Sequence, residues 1–347
     1  MAKDRRNEEK TDYSALLKEL KNNGPQRLYM LWGAEDYLTE SFLAELKKLC
    51  VGDCAEFNYH RLDGSSLDMQ RLAEAAEAVP FMGEHTLVEV SGFQPNSIKD
   101  NSAEQLKDII SDLPEYATLV FVLPTGYEPD GRLTSVKSIK KYGSAIEFTS
   151  QPRNLLLRWI NRRFAALGKN IGEAECERLI FVSGELMTRL VPEIEKIASY
   201  VSGDTVSMEH IDALAQHIPE ADVFIMTERL SQRDFDGAAY LMAELLQSGE
   251  HPIMLLATIG MQLRKLYTIR VAVDAGKKRE ELMEVLGIKY PGIVDKLTQA
   301  ARGFTTQRLK NAVELCAQCD YRMKSSSEDA EEILKELLLR IAVDGAK

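Results

Sequence analysis

The chain has 347 residues, 45% hydrophobic and 28% charged, with 54 acidic against 43 basic side chains and a formal net charge of −11. This length and composition exclude a disordered or fibrous chain and imply two or three globular domains with substantial cores. No apolar run approaches the roughly eighteen residues that a membrane-spanning helix needs, the longest lying around Ile253 to Met261, and the charged start from Met1 to Lys10 is not a secretory leader. A cytoplasmic protein without membrane association is expected.

The odd set of cysteines, Cys50, Cys54, Cys176, Cys316 and Cys319, fits reduced thiols better than a disulfide framework. Cys316-x-x-Cys319 lies inside a helical pattern and lacks a second ligand pair at metal-site spacing, while His60, His85, His210, His217 and His251 are scattered singly. Neither a metal site nor a cofactor is expected.

In chain order, a short helix over Tyr13 to Leu20 stops at Gly24. Five β-rich runs follow, Arg27 to Trp32, Glu56 to Leu62, His85 to Val90, Ala117 to Leu123 and Ser144 to Phe148. They recur at about thirty residues, the length of a βαβ unit, and helical patterns fill the gaps. In Ser102 to Leu113, for instance, Leu106, Ile109, Ile110 and Leu113 line one helix face. The rhythm predicts a parallel sheet flanked by helices.

Beyond Pro152 the strand signal disappears. Helices are expected over Leu155 to Leu167, Glu173 to Val182 and Met187 to Val201, ending at or near Gly168, Gly184 and Gly203, with Ser207 capping one that runs to His217. A break at Ile218-Pro219-Glu220 precedes an all-helical remainder, with long helices over Pro252 to Val273 and Thr305 to about Lys324. Ser325-Ser326-Ser327 interrupts the pattern, and the last helix, Glu328 to Val343, carries a stripe of Ile333, Leu334, Leu337, Leu338 and Ile341. The expected division is an α/β domain over 1–151, a small helical domain over 152–218 and a larger helical domain over 219–347.

In an open α/β sheet the turn after the first strand is the usual phosphate cradle. Here it reads Gly33-Ala34-Glu35-Asp36-Tyr37-Leu38, one glycine followed by two carboxylates, whereas a P-loop needs paired glycines and a lysine to surround and neutralise phosphates. The acid expected to hold magnesium at the end of a later strand is missing after Val90 and after Leu123. Glu35 and Asp36 read more readily as partners of a helix dipole than as an acid–base pair, and no nucleophile elbow or metalloprotease motif occurs. No catalytic residue is expected.

Several blocks together resemble the delta subunit of bacterial DNA polymerase III, a component of the sliding-clamp loader. They are Tyr29 to Leu38, Ala75 to Glu84, Trp159-Ile160, Gly168-Lys169, Glu193 to Ile197, Asp222-Val223-Phe224, Leu245-Leu246 with Gly249 to Pro252, Gln262-Leu263-Arg264 and Asp320 to Ser325. The resemblance implies an AAA+ type parallel-sheet domain, a helical lid and a C-terminal helical collar. It also implies a subunit that binds no ATP, that binds the ring-shaped clamp (the beta subunit) and opens it, and that works with gamma/tau and delta-prime subunits on primed DNA. Any polymerase activity would come by membership of the holoenzyme. A delta-prime-like or other inactive AAA+ subunit is the alternative, although its four-cysteine zinc pattern and Ser-Arg-Cys motif are absent, and an active ATPase would need the missing P-loop.

The family's hydrophobic wedge falls on Val79, Pro80, Phe81 and Met82. Phe81 and Met82 offer aromatic and adaptable apolar surface, and Pro80 ends the helix predicted over Leu67 to Ala78. From periodicity alone the same pair could instead pack beneath the sheet. Basic residues including Arg158, Arg162, Arg264 and Arg270 are candidates for DNA or partner contacts, or else for solvated helix faces and salt bridges.

Overall fold

The computed structural model describes residues 13–52, 55–288 and 291–343, so Met1 to Lys10 and Cys54 lie outside the described residues. It divides into two compact units, one comprising residues up to Cys176 together with Glu185–Val206, the other Glu177–Gly184 together with Ser207 onward.

The first unit opens with α1 (Tyr13–Asn23), β1 (Leu28–Gly33), α2 (Asp36–Cys50), α3 (Ala55–Asn58), β2 (Tyr59–Asp63), α4 (Met69–Glu77), β3 (Thr86–Ser91), α5 (Asp100–Ser111), β4 (Ala117–Val122), α6 (Thr134–Tyr142) and β5 (Ser144–Phe148). The strands form the expected parallel sheet, in the order β2-β3-β4-β1-β5. β1 is paired at both edges, with β4 and β5, and covered by helices on both faces, and its run Leu28-Tyr29-Met30-Leu31 is correspondingly apolar throughout. On one face Leu28, Met30, Val88, Val90 and Phe121 meet Leu72 and Ala76 of α4, Leu106 and Ile110 of α5 and Val136 and Ile139 of α6. On the other, Phe42 of α2 packs against Tyr29 and Phe148 at ring-centroid distances of 5.6 and 5.9 Å. Gly33 has no substitute at the end of β1, since a Cβ there would lie 2.1 Å from the carbonyl oxygen of Phe148 and its φ is +132°.

The second β-rich run departs from expectation. Glu56, Phe57 and Asn58 belong to the turn of helix α3, and the strand begins only at Tyr59. α4 begins where Asp68 accepts hydrogen bonds from the backbone N–H of Gln70 (2.8 Å) and Arg71 (3.3 Å). It ends at Glu77, whose carbonyl accepts from Tyr116 Oη at 2.9 Å; the next carbonyl, of Ala78, accepts from Thr86 Oγ1 at 2.9 Å.

The unit continues with α7 (Arg153–Ala166), β6 (Asn170–Ile171), the start of α8 (Glu173–Ser183), α9 (Met187–Tyr200) and β7 (Thr205–Val206). β6 and β7 pair in parallel, so two short strands do occur beyond Pro152. Lys169 draws the two segments together, its Nζ donating to the carbonyls of Val201 and Gly203, and Asn170 N donates to Asp204 O at 2.6 Å.

The second unit comprises the end of α8 with α10 (Met208–Leu214), α11 (Pro219–Ser231), α12 (Phe235–Gln247), α13 (Pro252–Asp274), α14 (Arg279–Leu286), α15 (Pro291–Arg302), α16 (Thr306–Ser325) and α17 (Ala330–Val343). Ser207 caps α10 as expected, accepting from His210 N, but the helix stops before His217. The chain there turns aside to bond the end of α8, with Ser183 Oγ donating to Gln216 O at 3.0 Å and Ile218 N to Val182 O at 2.7 Å. α13 is central, burying Leu255, Leu256, Ile259, Leu263, Leu266 and Ile269 against α11, α15, α16 and α17. The stripe of α17 is buried as predicted. Cys316 and Cys319 both face this core, where burial pushes the Cys316 thiol up to about 12. No helix among the described residues is long and apolar enough to cross a membrane.

Candidate protein-binding site

Between α4 and β3 the chain exposes apolar side chains that the core could have taken. Val79 is 77% exposed, Phe81 53% and Met82 83%, while Pro80 is half-buried. The packing of Phe81 and Met82 beneath the sheet is therefore not the arrangement adopted.

The loop that carries them is fastened by one side chain. Asn58, only 1% exposed, accepts from Phe81 N at its Oδ1 (2.7 Å) and donates from its Nδ2 to Phe81 O (3.0 Å). A carboxamide carries a donor and an acceptor side by side, so it pairs with both backbone groups of one residue as a neighbouring strand would. Directly after this clamp Met82 takes up a left-handed backbone, φ 51°, which costs a branched-at-Cβ-free residue about 1–2 kcal/mol. Gly83 follows, where a Cβ would lie 2.8 Å from Asn58 Nδ2. The ring of Phe57 stands beside that of Phe81, centroids 5.0 Å apart at 49°, and is itself 60% exposed. Neither Phe57 nor Asn58 is singled out by the sequence pattern, because both fall in a run that reads as strand. The result is an aromatic pair with an adjacent thioether, presented on a backbone of fixed geometry, which suits an apolar recess on another protein.

The turn after β1 is occupied by the chain itself. The N–H groups of Ala34 and Glu35, placed where such a turn offers donors to phosphate, both donate to Phe148 O, at 3.0 and 3.1 Å. The Glu35 carboxylate is wholly buried. Its Oε2 accepts from Met187 N at 2.8 Å, and its Oε1 accepts from Thr188 N and Thr188 Oγ1 at 3.2 and 3.1 Å. Glu35 does serve a helix N-terminus, but that of α9 rather than of its own helix α2. Burial raises its pKa above the ordinary carboxylate value, and the donors from Met187 and Thr188 oppose that rise. Asp36 accepts from Thr125 Oγ1 at 2.7 Å. Nearby, Tyr37 meets Trp159 edge-on at 5.4 Å and accepts from Arg163 Nη1 at 3.2 Å.

The candidate arginines divide between the two units. Arg158 and Arg162 lie one helical turn apart on the exposed side of α7 in the first unit. Arg264 is exposed on α13 of the second unit, and Arg270, six residues further along, pairs with Asp274 at 3.0 Å. Among the described residues no group of three or more His, Cys, Asp or Glu side chains could hold a metal ion.

Two family models match the sequence, that of "DNA polymerase III, delta subunit" over residues 29–149 and that of its C-terminal domain over residues 220–341. The chain belongs to the DNA polymerase III delta subunit family. The first match contains both the Glu35 turn and the Val79 to Met82 loop. DNA polymerase III subunit delta of Bacillus subtilis is 23% identical over 333 residues, 93% of this chain and 95% of the relative. A probable delta subunit of Aquifex aeolicus is 22% identical over 323 residues, 90% of each. Among solved structures, the Bacillus subtilis DNA clamp loader delta protein superposes with a TM-score of 0.53 at 23% identity, covering 95% of this chain and 99% of that one. The fold of that delta protein, a parallel sheet with flanking helices followed by further helices, thus extends over nearly the whole chain.

Proposed function

We propose that this chain is a subunit of the bacterial replicative clamp loader that binds the ring-shaped sliding clamp through Val79, Pro80, Phe81 and Met82 and opens the ring for loading on primed DNA, without binding ATP itself. The observation that carries the reading is the exposed Phe81 ring on a loop where Asn58 holds both backbone polar groups of Phe81. An aromatic anchor already fixed in position loses little further freedom on binding, so more of its burial energy is available as affinity.

Family membership supports the loader assignment, with gamma/tau and delta-prime subunits as further partners. In this reading residues 1–151 carry the clamp-binding element, 152–218 form the lid and 219–347 build the collar, and the protein works in the cytoplasm. The occupied turn at Glu35 supports the absence of ATP binding, since its N–H donors are engaged by Phe148 and its carboxylate would repel a triphosphate. Arg158, Arg162, Arg264 and Arg270 are proposed as DNA or partner contacts of the assembled loader, with Arg270 the weakest of them because Asp274 neutralises it. The deciding experiment is capture of the purified full-length chain by its cognate clamp. Binding in the absence of nucleotide supports the reading; failure to bind at micromolar concentrations of both proteins refutes it.

A further inference from the structure

We propose that Phe57 is a second aromatic anchor of the clamp-binding surface and that Asn58 is the positioning residue that sets both anchors; the proposal rests on the clamp-binding reading of Val79 to Met82. Phe57 and Phe81 arrive from different segments, one before β2 and the other after α4, and their rings still meet at 5.0 Å. A ring pair that served only the fold would be buried, yet both members are more than half exposed. What brings them together is the residue next to Phe57 in the chain. Asn58 is buried, and its carboxamide grips Phe81 N and Phe81 O. One side chain therefore fixes the placement of the ring beside it and of the ring it holds across the loop.

The occupant proposed is an apolar recess of the clamp wide enough for two adjoining rings. Exposed Val79 and Met82 lie beside Phe81 in the chain, and acids flank the two rings in sequence: Glu56 precedes Phe57, Glu84 follows Gly83, and both are exposed. The recess should accordingly be rimmed by basic or N–H donor groups. The same carboxylates would repel phosphates, which argues against the rings as a stacking platform for single-stranded DNA.

The test measures affinity of the full-length chain for its cognate clamp, alongside thermal melting of each variant. Phe57→Ala should weaken clamp binding about tenfold with an unchanged melt, because an exposed ring supports no core, and Phe57→Leu should recover part of the loss. Asn58→Asp keeps the size and the acceptor but removes the donor to Phe81 O. It should weaken binding in the wild-type background and have a smaller effect in a Phe81→Ala background, where only Phe57 remains to be positioned, a coupling that a merely structural role would not produce. If Phe81→Ala loses affinity while Phe57→Ala stays within about twofold of wild type, the second anchor is refuted and the clamp-binding reading stands. Equal losses from Asn58→Asp in both backgrounds refute the positioning role. A wild-type chain that ignores the clamp, or a neutral Phe81→Ala, overturns the underlying reading and this proposal with it, whereas a Phe57→Ala effect confined to binding of single-stranded DNA refutes the second anchor alone.

Discussion

The carboxylate of Glu35 and the backbone N–H of Met187 stand 152 residues apart in the chain and 2.8 Å apart in space. Through this bond and its companions to Thr188, the turn after β1 is tied to the first residues of α9, and a fixed side-chain anion sits at the positive end of that helix.

Removing this carboxylate should be costly. Glu35→Ala leaves the buried N–H of Met187 without its acceptor, while the groups of the exposed Thr188 can turn to water, so a loss of about 1–3 kcal/mol of stability is expected. Glu35→Gln should also destabilise, since rotation of its amide must aim N–H₂ at one donor. Urea unfolding followed by far-UV circular dichroism measures both, and a Glu35→Ala midpoint equal to wild type would show that the link carries no stability.

The same occupancy makes a prediction about nucleotide. With Phe148 O holding the donors of Ala34 and Glu35, and the Glu35 charge adjacent, the isolated chain should neither bind nor hydrolyse ATP. Titration with labelled ATP and magnesium should give no saturable signal, and saturation in the micromolar range would contradict the assignment.

Elements with a strong local period were legible in the sequence. β1 and β4 are nearly continuous apolar runs, β3 and β5 are short apolar runs interrupted by Glu89 and Glu147, and the stripe of α17 is a helix face written in full. What failed to show was set by distant partners. β2 begins later than its apolar run suggests because Phe57 looks like a strand residue, whereas the fold turns Asn58 inward to grip Phe81. β6 and β7 are too short for any alternation to develop and exist through Lys169 and the Asn170–Asp204 bond. The acids of the Glu35 turn suggested a helix N-terminus, but no local spacing could indicate which one. For the candidate site, the sequence offered Phe81 and Met82 with two opposite placements, and only the exposed loop distinguishes them.

The Cys316 thiol gives a pH dependence. Burial lifts it from an ordinary value of 9.0 to about 12 in the folded chain. Between those values the unfolded chain releases this proton while the folded chain keeps it, so folding stability falls as pH rises above 9.0. The slope is at most about 1.4 kcal/mol per pH unit for one thiol. Other groups titrate there too, so the quantity to measure is the difference between wild type and Cys316→Ala. That difference should shrink from pH 9 to pH 11, by roughly the stated slope. A difference independent of pH would mean that the thiol ionises equally well in both states.

The wedge prediction is the sharpest. An aromatic side chain that fills a pocket at the centre of an interface costs about 2–4 kcal/mol on truncation, or roughly 30- to 1000-fold in affinity. Phe81→Ala should weaken clamp binding by that order. It should leave the fold intact, because Asn58 holds the Phe81 backbone, which the substitution leaves in place. A ring belonging to the core would behave differently, costing about 3–5 kcal/mol of stability on truncation. Thermal melting and clamp affinity on the same protein separate the two: an unchanged melt with lost binding is expected, and a large fall in melting temperature with near-normal binding by the folded fraction would refute the assignment. Met82→Ala should show the same pattern more weakly, since a flexible thioether gives up more side-chain freedom on immobilisation than a rigid ring does.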